Sequence, residues 1–273
     1  MGKKRGKYIS IITIVILIIL IPMVAYNYFG QGRKEIGIAN KFVKRLTEKN
    51  IIEKSSKEIK FKLKEKSGTE KEEGIYSLVS DDYRVDLDKN KNIISFIYNN
   101  KNSKKVNITP EKAKELAMEY VEEMFDGEYK IDDISKEDKD SNSYYSVVFS
   151  KYEEGYPYYS EKLIMNIDKE SGKLQGCINK TQNLSHKKVD INISEKKAEE
   201  IALNSFNKLN KDGRIINKPY LAFYNNKEDE GENELCYIIE IANKSEKNVY
   251  FISSINGEVK NFFSNIIEET KVK

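Results

Sequence analysis

Residues 152–177, YEEGYPYYSEKLIMNIDKESGKLQGC, decide how the chain is read. A turn signal, an alternating run and a second turn signal follow one another, so the stretch reads as strand, turn, strand, turn, strand. Gly155 and Pro157 mark the first reversal, and Leu163, Met165 and Ile167 alternate with Ile164, Asn166 and Asp168. Asp168 to Gly172 forms the second reversal, where Gly172 supplies the positive φ that a tight hairpin needs. That second reversal recurs as DKNKNII (88–94), DKESGKL (168–174) and SSINGEV (253–259). Asn92 stands where the other copies have Gly172 and Gly257, and Asn is the next-best residue for left-handed backbone. Three copies of one turn make this a repeat protein.

Each of the last two turns has a helix in front of it at constant spacing. ITPEKAKELAMEYV (108–121) and ISEKKAEEIALNSF (193–206) lie 85 positions apart, as do Gly172 and Gly257. Ala113, Leu116, Ala117, Tyr120, Val121 and Met124 fall on one helical face, matched by Ala198, Ile201, Ala202, Ser205, Phe206 and Leu209. Thr109 and Ser194 are the natural N-caps, followed by Pro110 at the first helical position of one helix and by Glu111 or Glu195 near the positive helix end.

These residues carry a family resemblance. A helix opening Ile-Thr/Ser-x-x-x-Ala, a strand, Gly-x-Pro, an alternating strand ending in Asp and a Ser/Asn-Gly-x-Leu/Val turn resemble the PepSY and YcdB/YcdC repeat group over residues 108–263. The resemblance implies an α+β fold of tandem units, each one helix packed on a three- or four-stranded antiparallel sheet. The units expected are 36–100, a divergent membrane-proximal copy, then 108–180 and 191–265. It also implies a non-enzymatic regulatory role, because PepSY-type modules are associated with holding peptidases and other hydrolases in check. Similar repeats occur in the germination protein YpeB and in membrane-anchored regulators of sensor kinases.

The amino-terminal part is read from hydropathy. Tyr8 to Phe29 carries no charge over 22 residues, about 33 Å as a helix and enough to cross a bilayer. Residues 1–7 then form a short tail whose Lys3, Lys4, Arg5 and Lys7 favour a cytoplasmic amino terminus and an extracytoplasmic bulk. A cleaved signal peptide, with secretion of the rest, is the competing reading, although Met23 is large where a small residue is wanted. The first unit begins with the helical face Ala39, Phe42, Val43 and Leu46 and continues with Ile59, Phe61 and Leu63 alternating with lysines. The polar stretches 99–107 and 179–190 read as boundaries between units.

Composition excludes several functions. With 47 basic and 44 acidic residues the charges nearly cancel, which argues against nucleic acid. The single histidine, His186, reads as an exposed linker side chain, so a His-based triad or a two-His zinc helix has no partners. Asp86-x-Asp88-x-Asn90-x-Asn92 imitates a calcium loop but has Lys91 at the glycine position and Ile97 where Glu belongs, so it reads as a hairpin turn. No cofactor or metal is expected. Cys177 and Cys236 are an even pair that an extracytoplasmic disulfide would use if their strands meet, and otherwise small buried residues.

What remains is aromatic. Tyr152, Tyr156, Pro157, Tyr158 and Tyr159 crowd the first reversal of the second unit, whereas the corresponding ANKSEKN (242–248) has no aromatics. Tyr suits recognition surfaces, so this hairpin is the expected partner-binding site. The expected partner is an envelope protein: a peptidase, a cell-wall hydrolase or a sensor kinase. A carboxylate-dependent extracytoplasmic hydrolase and a peptide or small-molecule sensor are the alternatives.

Overall fold

The structure is a computed structural model that describes residues 32–67, 74–99, 105–134, 143–181, 184–226 and 232–266. The apolar stretch Tyr8 to Phe29, and most of the 99–107 boundary, lie outside the described residues. Among the described residues no helix is long and apolar enough to cross a membrane. They form three helices and thirteen strands of mixed sheet, grouped in two compact units: 1–102 with 173–177, and 103–172 with 178–273.

In the first unit α1 (Arg33–Glu48) packs on strands β1 (Lys62–Ser67), β2 (Ile75–Val79), β3 (Tyr83–Leu87) and β4 (Ile93–Tyr98). Its face Ala39, Phe42, Val43 and Leu46 is buried as the spacing predicts, with Phe42 edge-on to Phe96 at 5.8 Å. The first four residues of β8 (Leu174–Asn179) belong to this unit and lie beside β4, where the Leu174 N–H donates to the Ile51 carbonyl at 2.9 Å. A strand assigned by sequence to the second repeat thus completes the sheet of the first.

The second unit holds α2 (Pro110–Met124), β5 (Glu128–Ile134), β6 (Tyr144–Glu153), β7 (Tyr156–Asp168), α3 (Glu195–Leu209), β9 (Arg214–Ile215), β10 (Tyr220–Tyr224), β11 (Glu234–Ala242), β12 (Glu246–Ser253) and β13 (Val259–Ile266). The strands run β5-β6-β7-β10-β11-β12-β13, with the short β9 also on β11. Every pair is antiparallel except β7 with β10, which is parallel at Tyr158 and Phe223. The fold class read from sequence is therefore corrected: the described residues form mixed sheet with a parallel joint, not tandem units of one helix on a three- or four-stranded antiparallel sheet. Helix faces and hairpins are local, but which strand edge meets which is decided by non-local pairing that periodicity does not record.

Inside this unit the 85-residue repeat is visible atom by atom. Thr109 Oγ1 accepts the Lys112 N–H at 3.2 Å and Ser194 Oγ accepts that of Lys197 at 3.3 Å. The Ile108 N–H donates to Lys169 and that of Ile193 to Ser254, while the Tyr145 and Tyr237 hydroxyls donate to the carbonyls of Ile108 and Ile193. Gly172 (φ 74°) and Gly257 (φ 76°) both take left-handed backbone. A Cβ would lie 2.8 Å from Leu116 Cδ1 at Gly172 and 2.8 Å from Ile201 Cδ1 at Gly257, so glycine is needed twice over.

Two local expectations shift. In the first turn the left-handed residue is Lys91 (φ 71°), not Asn92, because that turn closes one residue earlier, from the Lys91 N–H to the Asp88 carbonyl. Asn92 instead donates its backbone N–H and Nδ2 to the Asp88 carboxylate. Leu209, expected on the apolar face of α3, is 68% exposed, since the helix ends there and Asn210 is extended.

Candidate functional site

The first reversal of 152–177 is a two-residue hairpin whose tip, Glu154 (φ 49°) and Gly155 (φ 85°), is left-handed at both positions. Two successive positive φ values match the twist of the flanking strands. β6 and β7 pair Tyr152 with Pro157 and Glu153 with Tyr156. Tyr152, Tyr156, Pro157 and Tyr159 are half-buried, and Tyr158 is fully buried.

The burial of Tyr158 follows from the parallel contact with β10. Its ring lies 5.1 Å from that of Phe223, and Tyr156 meets the same ring edge-on at 6.2 Å. Leu235, Leu184, Val189 and Leu221 complete this cluster. Adjacent strand residues point to opposite faces, so Tyr159 packs on the other side, edge-on to Phe251 at 4.8 Å and beside Tyr224. Most of the aromatic surface expected at the hairpin thus joins the two repeats of this unit. Tyr152 carries the Lys130 ammonium over its ring at 4.1 Å.

His186 is not the exposed linker residue read from sequence. Its ring stacks on Phe223 at 4.2 Å, and Nε2 lies 3.4 Å from Glu153 Oε2. The backbone around it runs alongside Asn233: the Lys187 N–H donates to the Asn233 carbonyl, and the Asn233 N–H and Nδ2 both donate to the Ser185 carbonyl. Glu153 also accepts the Tyr158 hydroxyl and pairs with Lys151 at 3.4 Å. Burial pushes the Glu153 carboxyl up, but the Tyr158 hydroxyl and Lys151 outweigh it and hold it below the usual value. Burial and Glu153 raise the Tyr158 phenol well above its ordinary range. The signal for this docking was Leu184 and Val189, the apolar residues flanking His186 in an otherwise polar stretch.

One further polar cluster imitates a nucleophile site. Ser150 and Lys162 are cross-strand partners, with Lys162 Nζ 2.5 Å from Ser150 Oγ and 2.6 Å from Asp132 Oδ2. The Ser150 hydroxyl donates to Asp132 at 2.5 Å, and the residue is 1% exposed. Its proton is committed and its oxygen is out of reach of a substrate, so the cluster closes on itself as a structural network. The imitation calcium loop is likewise occupied internally, with Asp86 accepting from Ser77 Oγ and Arg84 Nε. No three His, Cys, Asp or Glu among the described residues are placed to hold a metal. Cys177 and Cys236 are free, buried thiols, each pushed to about 12 chiefly by burial.

No protein-family model and no curated protein matches the chain. Among solved structures, the Bacillus megaterium YpeB C-terminal domain aligns with 81% of this chain and 95% of its own length, at a TM-score of 0.53 and 19% identity. The chain has a YpeB-like fold. In that YpeB-like fold the aromatic hairpin and the His186 strap both belong to the joint between β7 and β10.

Proposed function

We propose that the chain is a non-catalytic regulatory module of the cell envelope that binds another protein through the tip of the β6–β7 hairpin. The YpeB-like fold carries this reading, since the sequence motifs resemble the PepSY repeat group, whose members are associated with restraining peptidases and other hydrolases. The half-buried Tyr152, Tyr156 and Pro157 at the tip are the contact residues, Tyr159 borders them, and buried Tyr158 props the tip from below. A rigid two-residue turn presenting amphipathic rings loses little entropy on docking. The partner is a peptidase, a cell-wall hydrolase or a sensor kinase.

The chain is held at the membrane by Tyr8 to Phe29, with the folded units outside; a secreted, cleaved form is the alternative. Lys3, Lys4, Arg5 and Lys7 favour that orientation, whereas Lys41, Lys44 and Arg45 of α1 and Lys49 just after it count against it when residues further along are included. Protease added to intact protoplasts is therefore the deciding measurement, and digestion of a carboxy-terminal tag is the expected result.

Crosslinking of the full chain in native membranes, followed by identification of the captured protein, tests the function. Capture of a hydrolase or kinase by the wild type, reduced about tenfold or more in Tyr152→Ala/Tyr156→Ala with unchanged circular dichroism, is expected. Undiminished capture by the folded variant, or capture of nothing, refutes the reading.

A further inference from the structure

Positive charge in this nearly neutral chain is concentrated at the start of the first unit. Residues 33–64 contain eleven Lys or Arg and four Glu, against 47 and 44 charged residues of each sign overall. On α1 the exposed Arg33, Lys34, Lys41, Lys44 and Arg45 fall within an arc of about 120° at 3.6 residues per turn. The apolar residues Ala39, Phe42, Val43 and Leu46 occupy the opposite arc, against the sheet. Glu35, which would offset the first cations, points inward instead: it is 9% exposed and pairs with Lys91 at 2.7 Å. Glu48 is the one acid in the arc, and it pairs with Lys44 at 3.7 Å.

The start of α1 lies against β1. A Cβ on Gly32, just before α1, would lie 3.0 Å from Leu63 Cβ, so Leu63 rests against the helix start. Lys62 and Lys64, both exposed, flank it on β1. Adjacent strand residues point to opposite faces, so the cations beside Gly32 are Arg33 and Lys34, and the uncharged stretch Tyr8 to Phe29 ends three positions before it. Three residues of chain span at most about 10 Å, close to the Debye length at physiological salt of about 8 Å.

We propose that the cationic arc of α1 binds the anionic phospholipid headgroups of the membrane that holds Tyr8 to Phe29, laying the first unit against the bilayer surface. The inference rests on the reading of that stretch as a membrane segment. Charge complementarity selects the occupant: cations spread over a convex helix suit a diffuse layer of phosphates, and the tether supplies a high local concentration of it.

The test uses the full chain in lipid nanodiscs with a donor dye on Asn40→Cys, an exposed position at the rim of the arc, and an acceptor on the lipid headgroups. Cys177 and Cys236 are buried at 2% and 0% exposure, so labelling is confined to the introduced thiol. Energy transfer about twofold or more higher in discs rich in phosphatidylglycerol than in phosphatidylcholine discs is expected, with the difference lost at about 0.5 M salt. The variant Lys34→Gln/Lys41→Gln/Lys44→Gln should lose it too, while Lys196→Gln/Lys197→Gln/Lys208→Gln on α3 keeps it. Equal transfer in both lipids, or insensitivity to salt and to the first variant, overturns the inference while leaving the membrane segment intact. A chain that does not insert into either disc overturns both. Loss of partner crosslinking by the first variant without a change in transfer assigns the cations to a protein and also refutes the proposal.

Discussion

Replacing Gly172 by alanine tests whether the repeat is physically real. At φ 74° a side chain costs about 1–2 kcal/mol in left-handed backbone. The new Cβ would also stand 2.8 Å from Leu116 Cδ1, so the leucine must leave its rotamer, adding about 1 kcal/mol. Reduced freedom of the unfolded chain returns roughly 0.4–1 kcal/mol, leaving about 1–2 kcal/mol. Gly257→Ala meets Ile201 at the same 2.8 Å with φ 76°, so its cost should agree to within about 0.5 kcal/mol. Gly155→Ala is the control: φ is 85° but nothing lies within 4 Å of the Cβ, so only the backbone cost less the same unfolded-state return remains, about 1 kcal/mol net. Urea unfolding of the chain in detergent, followed by far-ultraviolet circular dichroism, gives the three values. Leu116→Ala, which removes a half-buried side chain at about 2 kcal/mol, should combine with Gly172→Ala at less than the sum, because truncation vacates the contested space. If Gly172→Ala costs no more than Gly155→Ala, or the double variant is fully additive, Leu116 does not pack on the turn and the repeat alignment fails.

Two further outcomes are expected. Glu234 is 6% exposed; burial raises its carboxyl, but Lys187 at 2.7 Å and Ser253 at 2.5 Å outweigh burial and hold it below the usual value. Its contribution to stability is therefore present above the unfolded glutamate value of about 4.3 and is lost as pH falls through the depressed folded value. Glu234→Gln should flatten the acid limb of melting temperature against pH, and an unchanged limb would contradict the assignment. The buried thiols, each pushed to about 12, should resist iodoacetamide at neutral pH in the folded chain and react in urea, read by mass spectrometry. Rapid labelling of Cys177 or Cys236 without denaturant would show that the strand carrying it opens.

Local chemistry was legible in the chain before any fold was known. The caps Thr109 and Ser194, the left-handed Gly172 and Gly257, the apolar faces of all three helices and the hairpin around Gly155 follow from interactions within a few residues, which spacing and side-chain type record directly. Even there a one-residue change in turn length moved the left-handed position from Asn92 to Lys91, because Asp88 closes the turn through its carbonyl and holds Asn92 with its carboxylate. The strand partners were decided only in three dimensions. Leu174 to Cys177 read as the end of the second repeat yet sit with the first unit, and β7 meets β10 in parallel, a pairing that no local pattern records. An exposed edge offers the same row of N–H and C=O groups whatever its sequence, so complementary packing chooses the partner. The same reason governs the site. Tyr156, Tyr158 and Tyr159 were legible as an aromatic cluster, but Phe223, Phe251 and His186, far away in sequence, determine that Tyr158 is buried and that only the tip of the hairpin faces outward.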